Sequence, residues 1–97
     1  MFDLTKLNDL MKNVSQMQEK MTQELGAKSI EASAGAGMVK VFMNGHFEAT
    51  QIILDPALLG MNDINFMQDL IKSAVNDAIK QVKQLVAEQA KSIMPMP

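Results

Sequence analysis

The sequence predicts an α+β fold, ordered α-β-β-β-α, in which a three-stranded antiparallel sheet and long helices form a two-layer unit. Three observations carry this. Apolar residues recur at steps of three and four up to Leu25 and again after Asp63. Between those stretches the period drops to two. Gly, Asn-Gly and Asp-Pro fall where the period changes. At 97 residues the chain suits one domain. Its expected divisions are a first helix over 1–28, a sheet over 29–55, a last helical segment over 62–94 and a frayed tail over 95–97.

The first helix rests on Leu7, Leu10, Val14, Met17 and Met21, a seam with the 3.5-residue spacing of a coiled coil, flanked by Leu4, Met11 and Leu25. From Asp3 to about Leu25 it would run roughly 35 Å at 1.5 Å per residue, farther than short strands can cover. Part of it must project or pair. Gly26 occupies the place of a helix C-terminal glycine, with Lys28 near the negative end of the dipole.

Ile30, Ala32 and Ala34 alternate with Ser29, Glu31 and Ser33 as a first strand, and Gly35-Ala36-Gly37 interrupts it. Met38–Met43 is a β-rich second strand, and Asn44-Gly45 predicts a type I′ hairpin turn into a third strand, Phe47–Leu54. The second strand is apolar on both faces, with Val39, Val41 and Met43 on one and Met38 and Phe42 on the other. One layer of helices covers only one face, so a second subunit is expected on the other. Asp55-Pro56 ends the sheet and a short turn runs through Gly60. Asn62 or Asp63 then caps a helix built on Ile64, Met67, Ile71, Ala74, Ala78, Val82 and Leu85, which persists to about Ile93.

Composition excludes several function classes. The absence of Cys removes disulfides, a thiol nucleophile and Cys-bearing zinc sites. No apolar run is long enough for a transmembrane helix, and the acidic, leucine-bearing start fits neither a secretory signal nor a transit peptide, so a cytoplasmic protein without a membrane partner is expected. Ala34-Gly35-Ala36-Gly37-Met38 lacks the third Gly of a dinucleotide fingerprint and the Gly-Lys-Ser/Thr of a P-loop, and it leads into a strand. It reads as a hairpin turn. His46, the one histidine, reads as a solvated turn residue, and Asp55 as a turn former. No serine has a convincing His and acid partner. No catalytic constellation, cofactor site, metal site or small-molecule substrate is expected.

All nine basic residues are Lys, against eleven acids, for a net charge of −2. Without Arg there is no bidentate fork, so any phosphate contact relies on Lys point charges. Counting Lys against Asp and Glu gives net charges of 0 for residues 1–28, −3 for 29–63, −1 for 64–79 and +2 for 80–97. The carboxy-terminal arm is the one net basic piece.

Three stretches, LMKNVSQMQEKM in the first helix, SAGAGMVKVFMNGHFEATQIILDPALL across the sheet and DLIKSAVNDAIKQ in the last helix, together resemble the YbaB/EbfC family of bacterial nucleoid-associated proteins. The most specific part is Gly35-x-Gly37-x-Val39-x-Val41 with Asn44-Gly45 and Asp55-Pro56, followed by Asn76-Asp77-Ala78. The resemblance implies an intimate homodimer with helices projecting like tweezers. It also implies duplex DNA binding without catalysis, a nucleoid location and an influence on nucleoid organisation or gene expression. On that reading Lys80, Lys83 and Lys91, with Lys6, Lys12 and Lys20 on the other prong, are the DNA-binding residues. Asn13, Gln16, Gln81 and Gln84 are within the same helices for base contacts. The alternative from a different class is a cytosolic dimeric adaptor or scaffold that uses its Met-rich helical seam to bind a protein partner.

Overall fold

The computed structural model of the protein describes residues 4–93. Asp3 as the helix start, Met94 as the end of the last segment and the tail at 95–97 lie outside the described residues. The elements follow the expected order: α1 (Leu4–Ala27), β1 (Ser29–Ala34), β2 (Val39–Asn44), β3 (Ala49–Leu54), the single turn α2 (Ala57–Gly60) and α3 (Ile64–Ile93). The three strands are antiparallel in the order β1-β2-β3. Ala32 faces Val41 in one ladder, and Ile52 faces Val41 in the other.

α3 lies across β1 and β2. Its stripe of Ala74, Ala78 and Val82 meets Ala32, Val39, Val41 and Met43, and all of these are buried. Small residues on the helix let its backbone approach the sheet closely, while the branched strand residues fill the space between. Leu58 of α2 folds back into the same cluster at 1% exposure. The sequence reading took that segment for a plain turn. Asp55 positions it, accepting a hydrogen bond from the Ala57 amide at 2.9 Å. Asp63 is the residue that caps α3, taking the Phe66 amide at 3.0 Å, while Asn62 turns the chain with φ of 51°.

The turn chemistry differs from the expectation in an instructive way. Asn44-Gly45 does not form a type I′ turn, because neither Gly45 nor His46 has positive φ. The Phe47 amide bonds the Asn44 carbonyl at 3.1 Å, and Phe47 itself takes the left-handed conformation at φ 62°. The Asn44 side chain holds the loop by accepting from the amides of His46 and Glu48 at 2.9 and 3.2 Å. The loop is therefore longer, a register shift follows at Phe42/Met43, and β3 begins at Ala49 instead of Phe47. The φ pair of a type I′ turn stands instead at Ala36 (55°) and Gly37 (88°), closed by the Met38 amide on the Gly35 carbonyl.

What Gly45 supplies is room. Its amide donates to the Leu25 carbonyl at 2.9 Å, and a Cβ there would sit 2.3 Å from that oxygen. Gly26 likewise is not a left-handed C-cap, since α1 continues through Ala27; the His46 imidazole lies over it instead.

α1 touches the body only at its end, where Leu25 is its one buried residue. The remainder projects, as its length required. The principal extents are 73 × 26 × 17 Å and the radius of gyration is 19.9 Å, against about 13 Å for a compact chain of this size. β3 is also bare: Ile52, Ile53 and Leu54 remain 40–48% exposed because α3 does not reach this edge.

The two glycine roles separate by mutation. Gly45→Ala should cost about 1–3 kcal/mol in urea unfolding, and Gly45→Asn at least as much, because either Cβ drives into the Leu25 backbone. At Gly37 a Cβ meets nothing closer than 3.9 Å, so the conformation alone is at issue. Gly37→Val should cost about 1–2 kcal/mol and Gly37→Asn clearly less, since Asn tolerates left-handed φ. Equal costs for Val and Asn at position 37 would contradict this assignment.

Candidate nucleic-acid interface

Helix α3 is amphipathic in a way that separates its charges from its core contacts. With about 100° per residue, the buried line of Ala74, Ala78 and Val82 fixes the direction of the sheet, and Lys80 and Lys83 lie on the opposite side. Lys91 continues that outer line one helical segment beyond. All three are exposed, and none has an ion pair or hydrogen bond among the described residues. Lys80 and Lys83 stand on the part of α3 that crosses the sheet, while Lys91 lies beyond it, past the residue that bonds to α1.

Lys6, Lys12 and Lys20 are distributed along the projecting α1, equally exposed and equally without a charged partner among the described residues. The same helix carries a bare apolar seam: Leu10, Met11, Val14 and Met17 are 48–64% exposed. Val14, Met17 and Met21 line a shallow groove with Gln18. Of the polar candidates for base contacts, Gln81 is engaged by Asp77 at 2.8 Å, whereas Asn13, Gln16 and Gln84 are exposed.

The other lysines differ. Lys28 donates to Gln89 Oε1 at 2.9 Å, and Gln89 Nε2 in turn donates to Glu24 at 2.7 Å, so this trio ties the root of α1 to α3. Lys40 lies 4.0 Å from Glu31 across the first ladder. Lys72 was not singled out by the sequence, yet it belongs with the outer α3 residues: positions 72, 76, 80, 83, 87 and 91 are spaced by four, four, three, four and four. That spacing was available in the sequence, but the segment sums of charge hid it by placing Lys72 in an acidic window. Its 3.9 Å contact with Asp69 is fully at the surface and contributes little.

Nothing in this arrangement assembles a reaction centre. Among the described residues no group of three His, Cys, Asp or Glu side chains could hold a metal ion. His46 is exposed beside the α1 root. The glycine turn at 35–38 packs against α3, with Leu70 over Gly35. No described helix is long and apolar enough to cross a membrane. The chemistry available is that of separated cations on rigid helices, which suits a polyanion with repeated charges.

Comparison with known proteins agrees with this. The model of the YbaB/EbfC DNA-binding family matches residues 3–96. A nucleoid-associated protein of a Thermoanaerobacter species is 37% identical over 90 residues, covering 90% of this chain and 81% of its own. A nucleoid-associated protein of Moorella thermoacetica is 42% identical over 74 residues, covering 76% and 71%. The crystal structure of an uncharacterized protein from Helicobacter pylori superposes with a TM-score of 0.83 at 25% identity, over 98% of this chain and all of that one. The α-β-β-β-α order, the glycine turn ahead of β2 and the non-catalytic helical surface thus coincide with a match across nearly the whole length, and the chain belongs to the YbaB/EbfC DNA-binding family.

Proposed function

We propose that this chain is a non-catalytic nucleoid-associated protein that binds duplex DNA as a homodimer, engaging phosphates through lysines on the exposed faces of α1 and α3. The observation that carries the reading is that Lys6, Lys12, Lys20, Lys80, Lys83 and Lys91 are all exposed and unpaired among the described residues, on helices of a DNA-binding family. The chain as a whole is acidic, with pI near 5.2, so these local surfaces must outweigh its net charge. Affinity then comes from counterion release, with no Arg to read bases, and the location is the nucleoid.

Dimerisation is supported by the surface left bare in one protomer. Ile52 and Leu54 extend the sheet face that α3 covers, and Ile53 lies on the other face beside Phe42. An apolar edge of this extent on a chain of 97 residues calls for cover. The adaptor reading rests on a different feature, the exposed Leu10, Met11, Val14 and Met17 seam.

Sedimentation equilibrium should give about twice the 10.7 kDa chain mass at micromolar concentration. Ile52→Asp, at a site half exposed in the protomer, should shift the mass towards one chain while preserving the helical spectrum. A wild-type mass of one chain throughout would exclude the homodimer.

For DNA, four to six phosphate contacts predict a log-log salt slope of roughly −4 to −5. Replacing all six lysines by Gln should lower affinity at about 50 mM salt by a hundredfold or more. Changing Lys28 and Lys40, which are held by Gln89 and Glu31, should alter it less than about threefold. No duplex binding by the wild type at that salt would overturn the DNA reading and favour the adaptor.

A further inference from the structure

We infer that each protomer carries two separate DNA-contact tracks, one on the outer face of α3 and one on α1, so that the protein joins two duplex segments instead of gripping one between its helices. This inference rests on the DNA-binding reading above.

The first observation is the composition of the α3 track. Lys72, Lys80, Lys83 and Lys91 fall on one line of the helix, and all are exposed. The line spans 19 helical steps, about 28 Å at 1.5 Å per residue, which matches roughly eight base steps at 3.4 Å along one strand. A rigid helix therefore presents its cations at intervals a single duplex segment can use. The one acid on the same line, Asp69, lies at its end and is turned to Lys72.

The second observation fixes where α1 stands relative to this line. Gln89 bonds to both Glu24 and Lys28, so the direction of Gln89 from the axis of α3 is the direction of the α1 root. By helical phase Gln89 lies within about 20° of Ala78 and Val82, the residues that meet the sheet. The four lysines lie about 100–200° around from it. They face away from the sheet and from α1 together. A helix with its side chains is about 10 Å across, so α3 itself stands between a duplex on its outer face and the α1 lysines.

The α1 lysines are set apart by the same reasoning. Leu25 marks the side of α1 that meets the body, and Lys12 and Lys20 each lie about 140° from it, in opposite senses. Lys6 is farther out, about 28 Å along the axis from Leu25. No arrangement of one straight duplex meets both lines in one protomer. The two tracks also differ in support: the α3 line is stiffened by the packed sheet along much of its length, whereas α1 is held at its root alone.

The test is a two-duplex capture assay with full-length protein: one duplex of about 60 base pairs is fixed to beads and a second, fluorescent one is free. Wild-type protein should retain the free duplex on the beads. Two variants separate the tracks, Lys72→Gln with Lys80→Gln, Lys83→Gln and Lys91→Gln, and Lys6→Gln with Lys12→Gln and Lys20→Gln. Each should lower capture about tenfold or more while binding to a single duplex persists through the other track. Unchanged melting temperature and assembly mass establish that either variant is folded. The inference is overturned if wild-type protein saturates the fixed duplex without retaining the second, or if either variant captures as well as wild type. It is also overturned if one variant loses single-duplex binding entirely while the other loses none, which is the signature of one shared site. Failure of wild-type protein to bind even the fixed duplex defeats the DNA-binding reading itself, and is read from the first step alone.

Discussion

The architecture depends on the junction where the Gly45 amide meets the Leu25 carbonyl at 2.9 Å. Helix α1 has no face buried along its length, so its direction is decided where it leaves the body. At that point a carbonyl left without an intrahelical partner receives a donor from the β2-β3 hairpin. The approach is so close that a methyl group on residue 45 would occupy the space of the Leu25 backbone. The His46 ring over Gly26 and the Gln89 bridge to Glu24 and Lys28 fix the same joint from two further sides. Sheet, hairpin and both long helices therefore share one region, and the placement of every α1 side chain follows from it.

A second constraint is the mismatch between helix and sheet. Strands of six residues span about 20 Å, while α3 runs about 45 Å and α1 about 36 Å. One long helix can cover two strands and must leave the third, which is why Ile52 and Leu54 lie in line with buried Val39 and Val41 yet remain exposed. The apolar surface and the cationic surface are both consequences of this geometry. The former lies at the uncovered edge and along α1, and the latter on the side of α3 that no element of the protomer reaches.

Element order and period were legible because each long segment has one dominant repeat. The stripe of Ala74, Ala78 and Val82 could be read directly, and so could the alternation of Val39, Val41 and Met43. The turns were not, because the same residues serve different physical purposes. Asn-Gly signals positive φ in a hairpin, but here Asn44 acts through its side-chain oxygen and Gly45 through the space it leaves. The positive φ fell to Ala36, Gly37 and Phe47, of which two are residues that local preference disfavours there. Leu58 was hidden in a segment too short to have a period. For the cationic surface, residue type was legible and direction was not. That Lys28 and Lys40 are engaged depends on Gln89, 61 residues away, and on strand register. Such contacts leave no local pattern in the chain.

Attachment at one end makes α1 a lever. Its described tip, Leu4, lies about 32 Å from Leu25 at 1.5 Å per residue. A rotation of only about 10° at the root would sweep the tip through roughly 6 Å, close to two base steps of one strand. Small adjustments in the packing around Leu25 are thus magnified into whole steps along a nucleic acid backbone. The same lever gives Lys20 a short arm and Lys6 a long one, so the inner cation keeps its position while the outer one can follow variation in groove width. Graded positional tolerance of this kind accommodates DNA of many local shapes without any reading of its bases.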